Sequence, residues 1–339
     1  MARLLGTYPL DLDGSTTTLE LFHRQCGGVF FKVWANEAYP VYGFALVTPA
    51  GLHARFTEPE MPELDPLVVF GFPFAIALQA ALGPRENPTR PFAHLTPAPL
   101  TRADVEARIA ATPPGTAVDL HGANLTHANL SGLLLTGANL RAANLLGADL
   151  RDALLSFADL IGANLEGADL SKTLLSGAHL ERANLHGALL VRGSLRGAFL
   201  AKATLTETNL LHANFLEADL SGANLTRALM GNVHLVDANL TGARLERASP
   251  DSANLYRANL TGANLRHADL AHASLQAANL TGADFTSASL FGANLSCARL
   301  AGANFTRANL GYADLRALGF GRANFTGANL RDARRPAES

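Results

Sequence analysis

The sequence predicts a mainly β chain: a solenoid over residues 116–330, preceded by a small α+β domain at residues 1–96. Three observations carry this. From Leu120 to Leu330 every fifth residue is large and apolar. Two residues before each of these centres lies a small one. Before about residue 115 neither pattern exists, and the composition shifts to aromatic and β-branched residues.

In residues 1–96, Thr16–Phe22 (TTTLELF), Val29–Ala35 (VFFKVWA) and Val41–Val47 (VYGFALV) read as strands, with Gly27-Gly28 and Tyr39-Pro40 as punctuation. The opening MARLLGTYPLDLDG is too short in apolar residues, and too soon interrupted by Asp11 and Asp13, for a secretory signal. Pro66–Pro84 carries no charge over 19 positions, close to the length that spans a bilayer. Pro66, Gly71, Pro73 and Gln79 interrupt it, and proline and glycine weaken a helix. The expectation is a buried strand or loop entering a short helix, Phe74–Leu82, and no membrane partner.

Residues 97–115 read as a linker and a short helix. Thr101 with Asp104 three residues on resembles a capping box, opening a helix over Arg102–Ala111 that Pro113-Pro114-Gly115 ends. That helix is placed to cover the first coil of the solenoid.

The solenoid rests on its period. Of 43 centre positions, 36 are Leu, five are Phe, and Met230 and Pro250 complete the set; 36 of the small positions are Ala. The residue between is usually Asn or Asp, and Gly is common two after the centre. A helix repeats at 3.6 residues and a strand at 2, so neither explains a strict five. A fixed internal repeat signals a solenoid.

A tandem A-(N/D)-L-x-x pattern, as in GANLTHANL and TGANLRHADL, resembles the pentapeptide-repeat family over about two thirds of the chain. The resemblance implies a right-handed, four-sided (quadrilateral) β-helix with one pentapeptide per side, hence about eleven coils. It also implies that the centre and the small residue point inward and the other three outward. Residues twenty apart then stack in columns, and the coil spacing gives a rod on the order of 50 Å long. Phe285, Phe305 and Phe325 should stack inside. Asn124, Asn144, Asn164 and Asn184 should form an outward ladder. Leu133 and Leu318 take the small inward slot near the two rod ends. Pro250 cannot donate to a ladder, so Ser249–Ser252 is expected to kink or bulge outward. Residues 331–339 form a polar tail.

Three surface features are candidates for function. Leu134, Leu154 and Leu174 occupy outward slots normally held by Asn or Asp on one face; Leu189 and Phe199 break the same rule on the flanking faces, and Phe157 sits at the adjoining corner. Exposed apolar clusters mark binding surfaces, unless another part of the chain covers them. Arg227, Arg247, His267 and Arg307 share one outward column, a weak anion-binding candidate whose charges Glu246, one slot away in the column of Arg266, is placed to balance. At the C-terminal end Leu318, Phe320, Phe325 and Leu330 are an apolar set with no capping helix after them, and the resemblance implies a homodimer through that end.

No catalytic, metal-binding or phosphate-cradling motif is present, so neither an enzyme nor a cofactor is expected. Net charge is −2, and the two cysteines, Cys26 and Cys297, lie far apart, which points to a reducing, cytoplasmic setting and no nucleic-acid partner. The leading expectation is a non-enzymatic scaffold that binds an unidentified protein. A membrane-attached repeat protein is a minor alternative. The other alternative offered by the resemblance is a DNA-mimicking modulator of a type II topoisomerase. Mimicry needs a strongly negative face, yet residues 116–339 carry 19 Lys and Arg against 18 Asp and Glu.

Overall fold

The computed structural model describes strands at residues 3–12, 15–23, 29–34, 40–48 and 51–56, and then residues 99–336. The chain divides into two compact units, Met1–Ala98 and Pro99–Ser339.

In the first unit β1 (Arg3–Leu12), β2 (Ser15–His23), β3 (Val29–Trp34), β4 (Pro40–Thr48) and β5 (Gly51–Phe56) form one antiparallel sheet in chain order. The three expected strands are β2, β3 and β4; β1 and β5 extend the sheet on either side. Leu12 pairs with Ser15, so only Asp13-Gly14 separates β1 from β2, a pair of residues suited to a two-residue hairpin. The expected helix Phe74–Leu82 lies outside the described residues.

The second unit opens with α1 (Arg102–Ala111), at the expected bounds. Thr101 caps it, accepting from the Asp104 backbone N–H while the Asp104 carboxylate accepts from the Thr101 N–H at 2.8 Å. The Thr101 bonds hold the Asp104 carboxyl below its ordinary pKa. Val105 is fully buried, Leu100 and Ile109 pack on the same core, and the Leu100 N–H donates to the Asn124 carbonyl at 2.8 Å. The helix therefore covers the start of the coil.

Each pentapeptide makes one corner and one side. At the first corner the Ala123 N–H returns to the Leu120 carbonyl at 3.0 Å, and Gly122 sits between them at φ +60°. This left-handed slot is why glycine is common two after the centre. A residue with a Cβ pays about 1–2 kcal/mol there. Along the side, the Leu125 N–H donates to the Asn144 carbonyl at 2.7 Å, and the Asn144 N–H donates to the Ala123 carbonyl at 2.9 Å. Parallel pairing at twenty-residue steps runs from Asp119↔Asn139 to Asp314↔Arg334, so four sides make one coil. The last pairing carries the coil four residues past Leu330, into the segment expected to be tail.

Centres and small residues point inward along nearly the whole tube, and Leu and Ala fill it at alternating volume. Phe285, Phe305 and Phe325 stack as expected, with ring centroids 4.8 and 5.1 Å apart. Where Thr173 and Thr208 replace the small Ala they are fully buried, and each hydroxyl donates to a carbonyl, of Leu150 and Leu205. Outside, Asn184 donates to Asn164 and Asn164 to Asn144, both at 3.1 Å, and each carboxamide oxygen also accepts the backbone N–H two residues on.

Two local expectations are corrected. Pro250 neither kinks the coil nor bulges out: it stays buried at its centre with the Ala253 N–H on its carbonyl. The missing proline N–H costs only one ladder bond. Leu318 is not in the inward slot. After Leu315 the corner is one residue shorter, Ala317 becomes the small inward residue, and Leu318 pairs outward with Arg299, nineteen residues back. Gly319 at φ +76° and a short 3-10 helix, Phe320–Arg322, restore the register before Asn324.

Candidate interaction surface

The rod builds its surface from columns, so a substitution repeated at twenty-residue steps becomes a continuous strip. Leu134, Leu154 and Leu174 pair directly with one another and form such a strip. Leu134 is 66 % exposed, Leu154 half-buried and Leu174 43 % exposed. The column then continues as Ser194, Asn214 and His234, so the apolar strip is three coils long.

Phe157 stands at the corner that follows Leu154 and Leu155. It is 68 % exposed and takes the left-handed turn slot at φ +59°, a conformation rare for an aromatic residue. On the next face Phe199 stacks on His179, ring centroids 4.7 Å apart, and the His179 ring meets the Glu181 carboxylate at 3.2 Å. The leucines and Phe199 thus lie on two adjacent sides in the N-terminal half of the rod, with Phe157 at the corner between them. Leu189 lies on the remaining neighbouring face and is matched two coils on by Leu229, 49 % exposed, which breaks the same Asn/Asp rule and was legible from it.

The corner before the leucines carries Gly132, Asp152, Lys172 and Arg192, all in the left-handed slot. Lys172 and Arg192 are exposed and form no ion pair among the described residues, whereas Arg151 beside them is held by Asp149 at 2.6 Å and approaches Asp169 at 3.8 Å. Hydrogen bonding to Arg151 keeps the Asp149 carboxyl below its ordinary pKa and raises that of the guanidinium.

The basic column exists as a column, but it is partly neutralised. Arg227 pairs with Glu207 from the coil before at 3.2 Å, not with Glu246, and Arg266 pairs with Asp284 at 3.3 Å. Arg247, His267 and Arg307 stand at intervals along the same corner. A second exposed aromatic group lies further along, where Phe291 meets Tyr312 and His272 edge-on at 5.4 and 5.7 Å. At the C-terminal end Phe320 stacks on Phe325 at 4.7 Å, Phe325 and Leu330 are half-buried, and Leu318 is exposed. Among the described residues no cluster of His, Cys, Asp or Glu is arranged to hold a metal ion, and no helix is long and apolar enough to cross a membrane.

Comparison with known proteins places these features in a family. No curated protein matches the chain significantly. Among solved structures the chain is similar to HetL from the cyanobacterium Nostoc, a pentapeptide repeat protein involved in heterocyst differentiation regulation. The two are 34 % identical over 71 % of this chain and 99 % of that one, with a TM-score of 0.43. It is also similar to Rfr23 from the cyanobacterium Cyanothece, with 35 % identity over 29 % of this chain and 60 % of that one and a TM-score of 0.20. QnrB1, a plasmid-mediated fluoroquinolone resistance protein, is 20 % identical over 59 % of this chain and 90 % of that one, with a TM-score of 0.30. The family model described as pentapeptide repeats matches in eight copies over residues 119–156, 153–190, 183–222, 218–249, 253–290 and 283–317, and its one gap falls at Pro250–Ser252. With that match spanning well over half of the sequence, the chain belongs to the pentapeptide-repeat family, whose fold is a right-handed quadrilateral β-helix.

Proposed function

We propose that this protein is a non-enzymatic scaffold that binds another protein through the strip Leu134, Leu154 and Leu174, with Phe157 and Phe199 beside it. The observation that carries the reading is the strip itself. The slot asks for Asn or Asp, and leucine there contributes nothing to the tube's interior. Three leucines in successive coils leave apolar area exposed that a polar side chain would not, and such area is a contact surface. A DNA-mimicking role has less support, because acidic residues on the neighbouring face, Asp149 and Asp169, are bridged by Arg151.

The test is the triple variant Leu134→Asn, Leu154→Asn, Leu174→Asn in the full chain, studied by affinity capture and thermal melting. Asn is the repeat's own residue in this slot, so the fold should hold while capture of the partner is lost. Unchanged capture would remove the strip from consideration. A rise in protease sensitivity of residues 1–98 in the variant would instead assign the strip to the N-terminal unit of the same chain.

A further inference from the structure

We infer that the occupant of this strip is an amphipathic α-helix of a partner protein, lying along the rod axis with carboxylates at its C-terminal end; this rests on the strip being a contact surface. Three observations lead there: the spacing of the leucines, the length of the strip and the charge of its edge.

Coils joined by ladder bonds stand about 4.8 Å apart, so Leu134, Leu154 and Leu174 present three side chains over about 10 Å. An α-helix turns every 5.4 Å, and its residues i, i+4 and i+7 cover about the same 10 Å. The two periods differ by about 0.6 Å per step, so three rungs stay within about 1 Å of register while a longer ladder drifts out of it. The strip is three leucines long and ends at Ser194. An extended strand laid along the same axis repeats on one face every 6.7 Å or so, and is out of step by the second rung.

The two edges of the strip differ. After the leucines the turn slots are Gly137, Phe157, Gly177 and Gly197. The glycines keep that edge low, and the Phe157 ring, which covers Gly177, offers one lateral apolar contact. Before the leucines stand Asp152, level with Leu154, and then the unpaired Lys172 and Arg192, level with Leu174 and Ser194. Positive charge is thus concentrated at one end of the strip. A helix whose C-terminus lies there brings the negative end of its dipole and any acidic side chains to Lys172 and Arg192, and turns its positive end toward Asp152.

The experiment titrates the full-length protein against three labelled peptides by fluorescence anisotropy. The first is a helical peptide with leucines at i, i+4 and i+7 and two glutamates beside the last. The second has the same composition with the leucines alternating, and the third replaces the glutamates with lysines. The first should bind at least about tenfold more tightly than either other. Leu154→Asn should remove that binding, and Lys172→Glu with Arg192→Glu should shift the preference to the lysine peptide, with circular dichroism unchanged in both variants. Equal binding of the alternating peptide, or indifference to the charge exchange, overturns the helix. If no peptide binds while the triple asparagine variant still loses capture, the helix falls and the contact surface stands. If that variant changes nothing either, both fall.

Discussion

The Phe157 ring lies directly over Gly177 of the next coil: a Cβ placed on Gly177 would stand 2.6 Å from its Cε1 atom. The contact joins two left-handed turn positions, one filled by the residue best suited to that conformation and one by a bulky aromatic. A ring in that slot costs conformational energy and remains mostly exposed, so stability does not explain it. Phe157→Gly should therefore leave the melting temperature equal or raise it, with a net gain of up to about 1 kcal/mol after the entropy cost of glycine. Binding at the leucine strip should weaken in the same variant. A stability loss above about 1 kcal/mol would make Phe157 a structural residue and remove it from the surface.

Adjacent residues of one pentapeptide should respond in opposite ways. Leu165 is fully buried, and Leu165→Asp places an unpaired charge in an apolar tube, enough to unfold the rod or split it. Asn164 faces out, and its oxygen accepts from the Glu166 backbone and from Asn184. Asn164→Asp keeps both acceptor roles and loses only the donation to Asn144, a cost of about 1 kcal/mol. Chemical denaturation of the two variants checks this; equal damage would contradict the inside and outside assignment.

Acid should loosen the rod through its surface carboxylates. Hydrogen bonds from Arg151 and Arg316 hold Asp149 and Asp314 below the usual carboxylate range. A carboxyl more acidic in the folded than in the unfolded chain stabilises the fold above its unfolded pKa, and that stability disappears as pH falls through the folded value. Melting temperature should thus be nearly flat from pH 8 to 5 and decline below about pH 4. Asp149→Asn with Asp314→Asn should make the decline shallower; an identical decline would show that other groups govern it.

The rod was legible because its five-residue period matches a family whose resemblance implies inside and outside at every position. The Thr101 cap follows from spacing and residue type, and the Phe285 column and the Asn144 ladder follow once the family resemblance supplies four sides to a coil. The misreadings have local causes. Leu318 deceives because it keeps the five-residue count, yet RALGF lacks the small and polar pair that should precede a centre, and that absence is where the corner shortens. Pro250 misleads in the other direction, since losing one N–H does not displace a side chain buried on all sides. The strand Arg3–Leu12 is hidden by Gly6, Pro9 and Asp11, which break its alternation; the Asp-Gly pair at 13–14 is the better signal. The leucine strip was legible as an exception to the Asn/Asp slot, but the differing exposure of Leu134, Leu154 and Leu174 along it was not, because spacing says which residues stack and not how far each is covered.

The C-terminal coil is the remaining place where this chain should associate, and with itself. Asn324, Asn329 and Arg334 are the last residues to pair with the coil beneath, and among the described residues none continues the ladder above them. Phe325 and Leu330 are only half-buried, while the equivalent residues one coil below are fully buried. The displaced corner adds Leu318, 62 % exposed, and Phe320, stacked on Phe325. Apolar side chains beside unpaired backbone groups favour pairing with a second edge, and a two-fold contact satisfies both copies at once. We expect an end-to-end homodimer, seen by sedimentation at micromolar concentration. Phe325→Arg should return it to monomer, whereas the triple asparagine variant of the leucine strip should leave it dimeric. A monomeric unmodified chain would mean that Arg331, Arg334 and Arg335 protect the end by charge repulsion, and association should then appear at high salt, where that repulsion is screened.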